Sequence, residues 1–288
     1  MKIWICIPVF NRKSLTLKCL ATLYEQSFTN FKIVICDHGS TDGTSAAIRE
    51  HYPEVILINA DSSLWWTGAI NRCVSYVLAN ADNDDTLLTL NDDTELPSDY
   101  LFNLTQNHQK YPNTIITSII VDIKTGDLVD IGYRQNWLLA TPQPVNFNQH
   151  HLANDPNSIE VTHASGRGTL LPIAVYQKIG LYDEKNLPHY GADEDLTYKA
   201  VRAGFKIYVN KNCKVLSHVE ATGMTNILSG FTIKTFVAYL TSMRSPANLK
   251  MRFWYGWNNC PHPLFPCYFL IDLSRIFGGY FKSFLNKK

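Results

Sequence analysis

Two carboxylate strings in this 288-residue chain have the spacing to do chemistry, Asn91-Asp92-Asp93 and Asp193-Glu194-Asp195. The first follows the apolar run Thr86-Leu87-Leu88-Thr89-Leu90 without a break. Hard oxygen ligands at a fixed strand end suit Mg²⁺ or Mn²⁺, which take few protein carboxylates and fill their shell with phosphate oxygens and water. A plain turn with a helix cap before Pro97 would use the same residues. The second string opens a stretch of helical period through Leu196, Ala200 and Val201 to Gly204. Acids at a helix start serve as caps and dipole partners, or one of them can act as a general base. His218 closes a later apolar run and is a candidate third metal ligand, since imidazole suits Mn²⁺. A lone histidine is more often polar surface or a satisfied core residue.

The elements that must position these groups follow from hydrophobic period. Ile3 to Val9 is a continuous apolar run ending at Asn11-Arg12, the mark of a central parallel strand. A helical stretch with Cys19, Leu20, Leu23 and Tyr24 on one face follows, then a second strand at Ile33–Cys36 that stops at Asp37-His38-Gly39-Ser40-Thr41-Asp42-Gly43-Thr44. A helix closed by Pro53, a strand at 55–58, a helix from Ile70 to Ala81 and the strand at 86–90 complete a βαβαβαβ order. Such an order predicts an α/β fold with a mostly parallel sheet, whose ligands bind beyond the carboxyl ends of the strands. The polar clusters at 11–12, 37–42 and 91–93 should therefore meet at one edge. The turn after the first strand has no glycine, which disfavours a dinucleotide fold, and no P-loop pattern occurs. Residues 134–160, rich in Asn, Gln, His and Pro, read as a long loop or insertion over the site. Further on, Gly166-Arg167-Gly168 leads into another apolar run, and strands are expected at 205–209 and 214–216.

The ordered set of strings resembles an inverting family 2 glycosyltransferase of the GT-A fold, near the bacterial rhamnosyltransferase-like group of cell-surface polysaccharide enzymes. The strings are Pro8-Val9-Phe10-Asn11-Arg12, Asp37 to Thr44, Trp65-Trp66-Thr67-Gly68-Ala69-Ile70-Asn71-Arg72 and Leu90 to Thr94, then Tyr182-Asp183-Glu184, Tyr190 to Leu196 and Ser217-His218. The resemblance covers roughly residues 1–220. It implies that Pro8, Val9, Asn11 and Asp37 line the pocket for base and ribose, with Gly68 and Asn71 beside the nucleotide. It also implies that Asp93 is the metal-binding end of a DxD motif, supported by Asn91 and Asp92, and that Asp193 is the catalytic base. Asn91 departs from the first acid of that motif. Ala192 stands where many relatives carry Glu, so Glu194 or Asp195 could share the role of the base. The implied partners are a nucleotide diphosphate sugar, UDP- or dTDP-linked, and a glycan or polyprenyl-linked acceptor.

Composition sets the class. Hydrophobic residues make up 45% and charged residues 18%, as in globular proteins. The net charge of +1 argues against a nucleic-acid partner, yet it hides an asymmetry. From Phe231 to Lys288 there are eight Lys and Arg against one acid, Asp272, and 14 of the 35 aromatic residues. The expected organisation is a catalytic domain over 1–230, with a nucleotide-sugar half at 1–100 and an acceptor half at 101–230, followed by a helical region at 231–288. Helices expected near 232–243, 247–257 and 265–284 mix aromatics with Lys and Arg, as do helices that lie on anionic lipid. The alternative is that these aromatics pack against the catalytic domain or pair two copies as a homodimer. Seven scattered cysteines without a C-x-x-C pair, and no secretory leader pattern, suggest a reducing cytosol, with the tail on the inner face of the membrane. A nucleotidyltransferase would need a glycine-rich basic loop after the first strand, and a glycosidase would not need a nucleotide site. A catalytically silent nucleotide-sugar-binding subunit retains the fold without turnover.

Overall fold

Alternation along the first strand decides the layering. In β1 (Ile3–Val9), Trp4 and Cys6 face one side of the sheet, while Ile3, Ile5, Ile7 and Val9 face the other. Both faces are buried, so helices must cover both. The computed structural model describes residues 1–221 and 232–285 and shows this arrangement. After β1 come α1 (Lys13–Tyr24), β2 (Phe31–Asp37), α2 (Thr44–His51), β3 (Ile56–Asn59), α3 (Trp65–Asn80) and β4 (Thr86–Thr89). The second half adds β5 (Thr94–Glu95), α4 (Tyr100–Lys110), β6 (Ile115–Asp122), β7 (Leu128–Asp130), β8 (Tyr133–Asn136) and β9 (Thr141–Pro144). It continues with α5 (Phe147–His150), β10 (His151–Leu152), β11 (Asp155–Val161), β12 (Thr169–Pro172), α6 (Ile173–Ile179), α7 (Ala192–Arg202) and β13 (Ile207–Ser217). The C-terminal helices are α8 (Ile233–Thr241), α9 (Leu249–Asn259) and α10 (Phe265–Leu285).

One sheet runs through both halves in the order β10-β11-β13-β6-β12-β4-β1-β2-β3. Strands β3, β2, β1 and β4 are parallel, β12 lies antiparallel between β4 and β6, and β13 is again parallel to β6. Helix α3, with Ala69, Ile70, Cys73, Val74 and Val77 buried, covers the Trp4 face together with α6 and α7. Helices α1 and α4 cover the opposite face.

Three sequence expectations change. Residues 134–160 are not an irregular loop. They form the β8–β9 hairpin, a short helix and strand β11, which joins the main sheet against β13. At the hairpin tip, Ala140 and Trp137 pack on Phe265 and Tyr268 of α10, and Arg275 donates to the Ala140 carbonyl. The two strands expected at 205–209 and 214–216 are one strand, β13, with an irregularity between Asn210 and Lys214. The tail is also divided. Met251 and Tyr255 of α9 belong to the core that includes α7, whereas Ile233, Val237, Leu270 and Ile271 on α8 and α10 are exposed. The expected domain boundary at 230/231 lies outside the described residues.

Candidate active site

The turns after β1 and β2 are knitted into one rim. Asn11 takes a left-handed backbone, φ 51°, a region that Asn tolerates better than most residues. Its Oδ1 accepts the Thr41 N–H at 2.7 Å, and its own N–H donates to Ser40 Oγ at 2.8 Å. Asp37 is buried. One of its carboxylate oxygens accepts the Ser40 N–H at 2.8 Å and the other accepts the Ser45 hydroxyl. Asp42 accepts the N–H groups of Lys13 and Thr44 at 2.9 and 3.0 Å, tying α1 to α2. Pro8 and Val9 are buried at the end of β1. Just beyond them, Phe10 stacks on His38 with ring centroids 5.0 Å apart. The polar clusters that follow the strands therefore meet at one edge, as the topology requires.

Asp92 and Asp93 sit at the centre of that edge. Arg12 Nη1 donates to Asp92 Oδ1 and to Asp93 Oδ2, both at 3.1 Å, and Nη2 donates to the Ala221 carbonyl at 2.8 Å. Burial pushes the Asp92 carboxyl up to about 7, with Arg12 pulling it down and Asp93 raising it. Asp93, fully buried, is also raised by burial, and Arg12, Arg167 and His218 oppose the shift. Asp93 Oδ1 has no hydrogen-bond partner. A buried, unpartnered carboxylate oxygen is costly unless something cationic or protic meets it. With a second carboxylate beside it, this donor set fits a hard divalent cation. Pairing of β5 with β13 sets Ser217 opposite Thr94. It also brings the His218 N–H to the Asp93 carbonyl at 2.9 Å, while His218 Nε2 lies 2.8 Å from Glu95 Oε1.

The opposite wall is built from α3, the 165–168 loop and the head of α7. Trp66 Nε1 donates to Asn91 Oδ1 at 3.0 Å, and its ring lies over Gly166, where a Cβ would be only 2.7 Å from Trp66 Cζ2. The Gly166 N–H donates to Asp193 Oδ2 at 2.6 Å. Asn91, Trp66, Gly166 and Asp193 thus form a continuous chain of contacts between the two carboxylate strings. Gly168, at φ +80°, packs against Tyr100 Oη and Ser118 Oγ so closely that a Cβ would come within 2.9 Å of both. Arg167, between the two glycines, is electrostatically coupled to Asp93, Asp130 and Asp193 together. Asp193 is raised by burial, and the Gly166 N–H and Arg167 moderate the shift. Glu194 rises to about 8, through burial first and then the neighbouring Asp193 charge.

A family model, "Glycosyl transferase family 2", matches residues 4–179, more than half the chain. The chain belongs to glycosyl transferase family 2. Among curated relatives, it is 25% identical over 230 residues to the succinoglycan biosynthesis protein ExoA of Rhizobium meliloti, covering 75% of this chain and 63% of that one. It is 22% identical over 224 residues to N-acetylglucosaminyl-diphospho-decaprenol L-rhamnosyltransferase of Mycobacterium tuberculosis, covering 71% and 72%. Chondroitin synthase of Escherichia coli matches at 30% over 89 residues, so the chain spans 13% of that protein. The fold is that of GT-A glycosyltransferases. Residues 1–349 of S. aureus TarS superpose with a TM-score of 0.57 at 13% identity, covering 96% of this chain and 92% of that one. GalNAc-T7, solved with UDP, GalNAc and Mn²⁺, superposes at 0.61 and 15% identity, covering 75% and 43%.

Within this family 2 fold, Asn11, Asp37, Asp92, Asp93 and Asp193 are joined by the contacts described above, and His218 meets Asp93 through its backbone N–H while its ring pairs with Glu95. Gly68 and Asn71 lie on α3 and make contacts within the protein. Asn71 is buried, its Oδ1 accepts the Tyr182 N–H, and its Nδ2 donates to the Tyr182 carbonyl and to Glu184 Oε2 at 2.9 Å. Gly68 lets Leu64 close on the first turn of α3. Asn71 ties α3 to the segment before α7. Asp195, offered as able to share the role of the base, is bonded to Asn258 and Asn259 of α9. Sequence reasoning passed over Arg12 as a bridge between carboxylates, and over Asp130 and His189. His189 is coupled to Arg12, His38 and the tail residue Arg244, and its ring lies 5.6 Å from that of Trp65. Trp65, at φ 52° and ψ −167°, holds a backbone conformation disfavoured for a side chain of its size. The acidic group Asp82, Asp84 and Asp85 lies before β4, at the far edge, where Asp85 accepts from the Lys2 N–H and Trp4 Nε1.

Proposed function

We propose that this chain transfers a sugar, with inversion, from a UDP- or dTDP-linked donor to a hydroxyl of a glycan or polyprenyl-linked acceptor in cell-surface polysaccharide synthesis. The observation that carries the reading is the contact chain Asn91–Trp66–Gly166–Asp193, which ties a candidate base to the same edge as Asp92 and Asp93. Residues 1–100 would supply the donor half and 101–230 the acceptor half. The rim built by Asn11, Asp37 and the stacked Phe10 and His38 would receive base and ribose. Asp93, with Asp92 and His218 beside it, would hold Mn²⁺ or Mg²⁺. Bound there, the ion would supply Lewis-acid stabilisation of the charge left on the diphosphate.

Asp193 would accept the proton of the attacking hydroxyl. Its Oδ2 is oriented by the Gly166 N–H, which leaves Oδ1 toward its own helix start, where it accepts the Glu194 N–H at 3.0 Å. Arg167 would neutralise the cleft between donor and base. The names of the relatives, which include two polysaccharide-related proteins and a transferase acting on a decaprenol-linked sugar, support this substrate class. A thermal-shift panel of UDP, dTDP, GDP and CMP, each with and without Mn²⁺ or Mg²⁺, tests the donor site. The expected result is a metal-dependent shift with UDP or dTDP that Asp93→Ala abolishes. A shift with no nucleotide, or one indifferent to both metal and Asp93→Ala, would overturn the assignment.

A further inference from the structure

We propose that Asn259 of α9 is a positioning residue for the helix that carries the candidate base, acting through Asp195; this rests on the reading of Asp193 as that base. Helix α7 begins under poor local terms. Its N-cap is Gly191 in a left-handed conformation with no side-chain cap, and Asp193, Glu194 and Asp195 crowd its first turn. Acids there favour the helix dipole, but three adjacent carboxylates repel, and Asp193 is already committed to Gly166 outside the helix. What holds the turn comes from the C-terminal region. Asn259 Nδ2 donates to Asp195 Oδ1 at 2.7 Å, and Asn258 Nδ2 donates to the same oxygen at 3.1 Å. Both Asp195 and Asn259 are buried.

Three further bonds fix the direction of this grip. Asn259 Nδ2 also donates to the Tyr255 carbonyl at 3.0 Å, and its Oδ1 accepts from Arg202 Nη2 at 3.4 Å. Arg202 Nη1 donates to the Asn258 carbonyl. Asp195 lies in the first turn of α7 and Arg202 in its last, so the Asn258-Asn259 pair grips the helix at both ends. A carboxylate accepting two amide donors is a charge-assisted arrangement, stronger than a neutral bond. Asn259 thus sets the axial position of α7, and through it the depth of Asp193 in the cleft.

The test separates positioning from bulk stability and from a misassigned base. In Asn259→Ala, turnover of a panel of UDP- and dTDP-hexoses, read as released nucleoside diphosphate, should fall on the order of 10- to 100-fold. Donor KM and the affinity for UDP with Mn²⁺ should stay within about two-fold, and amide exchange should rise in residues 192–197 but not in the strands under the donor rim. Asp195→Ala should match it, and the double variant should be no worse than either single one. Asp195→Asn keeps an acceptor oxygen and should retain near-native turnover. Unchanged turnover and exchange in Asn259→Ala, or a loss matched by weaker UDP binding, would overturn the proposal. An inactive Asp195→Asn would instead make Asp195 itself the base, whereas an active Asp193→Asn would remove only the reading on which the proposal rests.

Discussion

At the scale of single residues, two adjacent carboxylates, Asp193 and Glu194, are asked to behave differently. Asp193→Asn keeps an oxygen for the Gly166 N–H but cannot take a proton, so turnover should fall about 10²–10⁴-fold with UDP and Mn²⁺ binding unchanged by calorimetry. Glu194 supplies a pH signature. Its folded pKa, about 8, lies above its ordinary 4.5, so the folded chain holds a proton that the unfolded chain has lost between those values. Stability from this group is full below pH 4.5 and declines as pH rises through about 8. Glu194→Gln should therefore raise Tm at pH 8.5 and leave it nearly unchanged at pH 4.5. A Tm gain equal at both pH values would refute this account. Hydrophobic period made the positions of Asp93 and Asp193, at a strand end and a helix start, legible in the sequence, while their expected roles came from the family resemblance. Asp130 and His189 were not legible, and Arg12 and Arg167 were visible only as members of short strings, since nothing in a lone charged residue says which distant carboxylate it will meet.

At the scale of elements, the 165–168 loop works because it is thin. A methyl group at Gly166 would lie 2.7 Å from the Trp66 ring, and the Asp193 side chain lies 3.5 Å away on the other side. Gly166→Ala should push the loop off Trp66 and break the N–H bond to Asp193, with turnover down at least 10-fold by the misplacement argument and a Trp66 fluorescence shift. Gly166→Ala in a Trp66→Phe background should recover part of the loss, because the smaller ring gives way; no recovery would mean that the clash is elsewhere. The βαβ order of the first hundred residues was readable because buried parallel strands are apolar on both faces. The β8–β9 hairpin was not. Its strands, Tyr133–Asn136 and Thr141–Pro144, carry polar residues and two prolines, and their place is set by docking on α10 rather than by their own alternation. The grip of α9 on α7 was hidden for a related reason: Asn258-Asn259 has no period, only a partner.

At the scale of the whole molecule, the C-terminal helices divide between two roles. Asp272 of α10 is fully buried and paired with Arg252 of α9, whose Nε donates to Asp272 Oδ2 at 2.8 Å. Removing one member of a buried pair typically costs about 3–5 kcal/mol, so Arg252→Leu should lower Tm sharply, and Arg252→Leu with Asp272→Leu should restore much of it. Among the described residues no helix is long and apolar enough to cross a membrane. The exposed Ile233, Val237, Leu270 and Ile271, with Lys234 and Lys282 exposed on the same two helices, support peripheral contact with anionic lipid. Flotation with phosphatidylserine vesicles should retain the native chain and lose Ile233→Glu with Leu270→Glu; equal flotation of both would end that reading. The antiparallel strand between β4 and β6 has a consequence for synthesis. The outer edge of β4 is closed only by residues 169–172, some eighty residues downstream of Thr89. At roughly 5–20 residues per second, a nascent chain carries Leu87 and Leu88 on an open strand edge for several seconds or longer, which makes this stretch of translation the interval in which a chaperone has most to do.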